Sequence, residues 1–215
     1  MSVLRTHIDK QTADGERRAL ILKAAERAFV RFGFHAATMG QVAEEAAMSP
    51  GNLYRYFPSK EAIVEGLCAR NQEERVANFR SLADSPNIFE ALSTSLKLHL
   101  LSCPPEKARM MLEVWAEGSR SPRIADIGRM VDRDVRAGLI EIFDAAKANG
   151  EASPAMDSLF AARLVFTLVS GLFKRLAHET NFDLEAEAEM VLGVLRGLFS
   201  GQLGPERRPE SKGLI

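Results

Sequence analysis

Apolar residues recur at helical spacing along nearly the whole chain, and the alternating Val, Ile and Thr runs that mark strands are absent. Ile21, Ala24, Ala25, Ala28, Phe29 and Phe32 follow the i, i+3, i+4 rule. Gly33 stands where a left-handed cap would end that first helix. A second, short helix starts at Thr38 and turns Val42, Ala43 and Ala46 inward; a third follows Ser49, with Leu53 and Phe57 four residues apart. The same spacing predicts longer helices over 60–82, 88–102, 105–119, 122–149, 157–180 and 184–200. Breakers mark the junctions: Asp84 to Asn87, Cys103-Pro104-Pro105, Ser121-Pro122, Asn149-Gly150 and Ser153-Pro154. The expectation is an all-α protein of about nine helices, without internal repeats and with flexible ends over 1–12 and 202–215.

The stretch from Phe34 to Glu61 carries the most specific chemistry. Thr38 and Gln41 have capping-box spacing, in which the threonine oxygen accepts from the backbone three residues on and the glutamine reaches back. Ala47 and Met48 form a turn. Ser49 then caps the next helix, and Pro50 takes the first helical position, where a missing N–H costs nothing. Two short helices around a tight turn, with small residues at Ala43 and Ala46 for close approach, describe a helix-turn-helix. The second of these helices offers Pro50, Gly51, Asn52, Tyr54, Arg55 and Tyr56, with no acidic side chain to repel phosphate. The helix starts at Thr38, Ser49 and Ser59 can attract phosphate through free N–H groups, and Lys60 adds a charge at the third. Such contacts fix register, while Asn52 and Arg55 have the reach and chemistry for base edges in a major groove.

Composition narrows the partners. The 215-residue chain is 46% hydrophobic and 27% charged, ordinary for a globular protein, with a formal net charge of -1. Residues 1–60 hold 9 Lys or Arg against 6 Asp or Glu, whereas the rest holds 19 against 23, a modest asymmetry that makes the first segment the place to look for an anionic partner. Cys68 and Cys103 make neither a zinc signature nor a redox pair and fit free thiols in a reducing cytoplasm. The first residues, MSVLRTHIDKQTADGERR, lack the apolar run expected of a signal peptide, and no apolar stretch reaches the roughly 18 residues of a membrane helix. A cytoplasmic protein without a membrane partner is expected.

The run Ser49-Pro-Gly51-Asn-Leu53-Tyr54-Arg-Tyr56-Phe57-Pro-Ser59-Lys60-Glu61, preceded by the threonine-capped helix and turn, resembles the DNA-binding domain of the TetR family of bacterial transcriptional regulators. The likeness covers about 16–67, a quarter of the chain. It implies a three-helix DNA-binding domain over 13–60 and a helical effector-binding and dimerisation domain over 61–201. It further implies a homodimer that binds a palindromic double-stranded operator and is released by a small-molecule effector. Carried over residue by residue, Thr38, Tyr56 and Lys60 become phosphate contacts. Gln41, Pro50, Gly51, Asn52, Tyr54 and Arg55 face the groove beside the Ser49 cap, while Leu53 and Phe57 hold the recognition helix to the first helix. One departure stands out: the turn glycine common in the family is Ala47 here, a substitution costing on the order of 1 kcal/mol if the backbone there is left-handed.

The remainder of the chain is less specific. Met110, Met111 and Trp115, with Arg163, Phe166 and Phe173, suit the lining of an apolar effector pocket, although Met and Phe at helical spacing serve equally as core. The last two predicted helices are apolar nearly all round, which fits burial against a second copy. Paired recognition helices about 34 Å apart also require a dimer. The helix over 60–82 joins the two expected domains and is the natural lever between them. Two other classes compete: a ligand-independent DNA-binding regulator or activator of the same fold, and a helical enzyme. Against the enzyme, the chain has no G-x-S-x-G, paired-carboxylate signature, phosphate loop or His/Cys metal spacing, and His35, His99 and His178 are scattered. No catalytic residue, metal or cofactor is assigned.

Overall fold

The computed structural model describes residues 2–205, with side chains from residue 14 onward. Among the described residues there are nine helices and no strand: α1 (Ser2–Phe32), α2 (Met39–Glu45), α3 (Pro50–Tyr56), α4 (Lys60–Ala83), α5 (Ile88–Leu101), α6 (Pro105–Glu117), α7 (Pro122–Ala148), α8 (Ser158–Leu176) and α9 (Leu184–Phe199). The helix starts agree with the capping chemistry. Asn87, Asp157 and Asp183 each accept the backbone N–H three residues on, as Thr38 and Ser49 do. Two ends differ from the sequence pattern. The backbone of 2–12 continues α1, since no glycine or proline interrupts it before Gly15. α8 stops at Leu176 rather than running to 180, because the polar turn that follows places Asp183 as the cap of α9. Of the expected flexible tail, 206–215 lies outside the described residues.

The chain divides into two compact units. The first joins residues up to 74 with 104–131, and the second joins 75–103 with residues from 132 onward. The core of the first is built from Ile21, Ala25 and Phe29 of α1, Val42 and Ala43 of α2, Leu53 and Phe57 around α3, Ile63 of α4, and Ile124 and Ile127 of α7, all buried. At Gly66 of α4 an added Cβ would stand 2.9 Å from the Phe57 ring and 3.0 Å from Leu22, so this crossing admits no side chain. The core of the second unit gathers Ile88, Leu92, Ile142, Phe143, Ala161, Val165, Leu195, Leu198 and Phe199. Phe89 and Phe143 both meet Phe199 edge-on. Glu151 completes this unit by accepting the Ile88 and Phe89 N–H groups at 3.0 and 3.1 Å, a two-oxygen cap on the start of α5.

Candidate nucleic-acid interface

Helix α2 begins with the expected capping box. Gln41 N–H donates to the Thr38 hydroxyl at 3.2 Å, and Gln41 Oε1 accepts from Thr38 N–H at 2.9 Å. With its oxygen held by the cap, Gln41 is left with its amide NH₂ as the outward donor. The turn to α3 is a Schellman motif: Met48 N–H donates to Ala43 C=O and Ala47 N–H to Glu44 C=O, each at 2.9 Å. Its left-handed position is Ala47, at φ 51°, the one non-glycine residue with positive φ among the described residues. The strain anticipated for a missing turn glycine is therefore present in the backbone.

Helix α3 starts at Pro50, with the Ser49 hydroxyl accepting from Asn52 N–H at 3.3 Å. Leu53 and Phe57 are fully buried and anchor the helix to the core, in agreement with the apolar positions of the sequence pattern. The opposite side is open. Ser49, Pro50, Gly51, Tyr54 and Arg55 are exposed, Tyr54 at 51%, and Asn52 and Tyr56 are half-buried. Thr38 is exposed, Gln41 and Lys60 are half-buried, and so none of the ten expected contact residues is lost to the core. They lie at the start of α2, along α3 and at the start of α4, and the first compact unit brings them together.

Three polar ties fix the pose of these elements. Lys60 Nζ donates to the carbonyls of Phe34 and His35, at 2.9 Å each, and lies 5.0 Å from the Phe34 ring centroid. Two of its three protons thus hold the α1–α2 turn, leaving one for a further acceptor. Arg18 of α1 donates to Tyr56 C=O at 3.2 Å and covers the Phe57 ring at 4.5 Å, a cationic cap on the C-terminus of α3. Glu113 of α6 accepts from His35 N–H at 3.0 Å, next to Gly33, which ends α1 with φ 79°. The roles of Arg18 and Glu113 carry no local sequence signal, because each acts on a partner far along the chain, 38 and 78 residues away.

The electrostatics behind this surface are paired. Glu26 of α1 accepts from Lys107 of α6 at 2.8 Å and from Arg70 of α4 at 3.1 Å. Burial pushes the Glu26 carboxyl up, but those two cations outweigh it and hold it below its ordinary range. Glu61, at the first turn of α4, is held low by its hydrogen bonds to the Ser59 hydroxyl and to backbone. The six expected pocket residues fall into two groups. Met110, Met111 and Trp115 belong to the first unit, where Met110 packs on the core and Trp115 is 44% exposed. Arg163, Phe166 and Phe173 belong to the second. There Phe173 is buried edge-on to His99, Phe166 lies under the Arg136 guanidinium, and Arg163 is exposed. Among the described residues no helix is long and apolar enough to cross a membrane.

Known proteins share this architecture. Residues 21–67 match the family model described as "Bacterial regulatory proteins, tetR family", and 98–200 match "BetI-type transcriptional repressor, C-terminal". The HTH-type transcriptional regulator UidR of Escherichia coli K12 is 30% identical over 193 residues, covering 90% of this chain and 96% of that protein. The solved structure of Salmonella enterica GusR is similar at 29% identity, with a TM-score of 0.70 over 86% of this chain and 95% of that one. A regulator from Saccharomonospora viridis, solved in complex with choline, shares the fold with a TM-score of 0.71 at 21% identity, over 85% of this chain and 96% of its own.

Proposed function

From a chain that belongs to the TetR family of bacterial transcriptional regulators, and is therefore a DNA-binding regulator rather than an enzyme, we propose a ligand-responsive repressor that binds a palindromic operator as a homodimer. The observation that carries this reading is the exposed side of α3, held over a buried Leu53–Phe57 anchor and flanked by the starts of α2 and α4. Thr38, Ser49, Tyr56 and Lys60 take phosphates and position the unit; Gln41, Pro50, Gly51, Asn52, Tyr54 and Arg55 face the major groove. The DNA-binding part is assigned to 13–60 and the effector-binding and dimerisation part to 61–201.

Helices α8 and α9 form the dimer contact in this proposal. Leu159 and Met190 on them are 55% and 50% exposed, and Gly171 and Gly193 have open space above them, which supports a face for a second copy. Effector binding in the C-terminal part favours a conformer with wrongly spaced recognition helices, with α4 as the lever, and the operator is released in the cytoplasm. The test is enrichment of duplexes from a random pool, followed by fluorescence anisotropy at two salt concentrations. A palindrome bound with two-fold symmetry, weakening with salt, is expected. No enrichment, or a binding site without symmetry, overturns the operator-bound dimer.

A further inference from the structure

Arg75 of α4, in the second unit, carries two guanidinium nitrogens, Nε and Nη2, that are shut off from solvent and have no hydrogen-bond partner. These are the two nitrogens on one edge of the guanidinium, whose parallel N–H bonds match the two oxygens of a carboxylate. Arginine does not relieve the strain of burial by losing its proton, so an orphaned edge of this kind calls for an anion. Among the described residues none supplies one: Glu73 and Glu74 beside it are exposed, and no ion pair engages Arg75. Arg70, on the same helix, leaves only Nη1 buried without a partner, with its Nη2 on Glu26 and its Nε on Asn71, so its Nε–Nη2 edge is filled where that of Arg75 is not. A second orphan lies in the same unit. The Ser93 hydroxyl of α5 is buried and unpartnered, although a mid-helix serine ordinarily bonds the preceding turn.

We propose that the effector of this protein is an organic anion whose carboxylate seats on the Nε–Nη2 edge of Arg75. The assignment rests on the ligand-responsive reading above and names the chemical class of that ligand. The experiment uses the full chain at constant ionic strength, with acetate, benzoate and hexanoate each set beside the neutral amide of the same skeleton. Melting temperature and calorimetric affinity are read for the parent, Arg75→Met and Arg75→Lys.

The acids are expected to raise the melting temperature and the amides to leave it unchanged. Arg75→Met is expected to weaken benzoate at least tenfold, and Arg75→Lys, which keeps the charge but loses the fork, to fall between. Without added anion, Arg75→Met is expected to melt above the parent, because it no longer buries an unpaired charge. Equal response to acid and amide, benzoate affinity intact in Arg75→Met, or no response to any of the three acids overturns the assignment. Operator binding on the same samples separates the two readings. A protein that binds its operator but ignores carboxylates loses only this site, and one that binds benzoate through Arg75 but enriches no DNA loses only the repressor role.

Discussion

Replacing Ala47 with glycine removes a strained residue from the turn between α2 and α3. Its backbone sits at φ 51°, where a side chain crowds the following carbonyl; a non-glycine residue there costs about 1–2 kcal/mol. Glycine relieves that cost but widens the unfolded ensemble, which takes back about 0.4–1 kcal/mol. Ala47 is exposed, so no packing is lost. The two Schellman hydrogen bonds through Ala43 and Glu44 use backbone atoms alone and survive the change. The net expectation for Ala47→Gly is a gain of about 0.5–1 kcal/mol, or about 1–4 °C in melting temperature for a chain of this size. Urea unfolding followed by circular dichroism reads it, with Ala47→Val as control. A β-branched residue at positive φ is expected to lose more than about 1 kcal/mol. A glycine variant less stable than the parent, or a valine variant as stable as it, would refute a left-handed backbone at this turn.

Other perturbations probe the ties around the reading surface and the second unit. Arg18→Met keeps the apolar stem but removes the cap on Tyr56 C=O and the contact with Phe57; a stability loss of about 1 kcal/mol and weaker DNA binding by anisotropy are expected. Glu26→Gln loosens the link among α1, α4 and α6 by about 1–2 kcal/mol at neutral pH. Because the Glu26 carboxyl is held low in the folded state, its contribution is present above the ordinary carboxylate range and lost as pH falls through the depressed value. The penalty of the variant therefore vanishes in acid urea titrations. Asp132 behaves oppositely: burial pushes its carboxyl up and Arg136 pulls back only in part. The folded state then binds the proton more tightly, so stability falls as pH rises through the raised value, and Asp132→Asn should melt above the parent at neutral pH with the gap closing in acid.

What was legible in the sequence is what local chemistry writes. Thr38, Ser49 and Pro50 fix the starts of α2 and α3 within a few residues, so helix-turn-helix spacing and the exposed side of α3 follow from a short window. The four-residue step from Leu53 to Phe57 likewise gave the buried anchor. The conformation of Ala47 was only half legible. The position followed from the family pattern, but whether alanine kept the left-handed backbone depended on the Schellman bonds around it. Long-range ties were invisible: His35 to Glu113 spans 78 residues, Ile88 to Glu151 spans 63, and Tyr56 to Arg18 spans 38. The grouping of α6 with the first unit depends on such ties and on core contacts through Met110 and Val114. No composition shift marks it.

Those ties set the terms on which an effector could silence the reading surface. A seven-residue helix such as α3 cannot hold its own shape in water, so its pose belongs to the first unit as a whole. Moving a two-state protein from one hundredth to ninety-nine hundredths in the released form takes about 5.5 kcal/mol of differential effector binding. A single hydrogen bond, such as the one from His35 to Glu113, contributes only about 1–3 kcal/mol even when charged. Breaking one tie therefore shifts occupancy without switching it. A full switch must displace a helix that carries several at once. Two helices qualify: α4, which holds Lys60 against the α1–α2 turn and Arg70 against Glu26, and α6, which holds Glu113 and Lys107. Of these, α4 also runs on into the second unit, where it carries Arg75. An anion seated on that guanidinium would bear on the helix whose first turn holds the turn before α2, which is why the lever and the ligand site are assigned to one element.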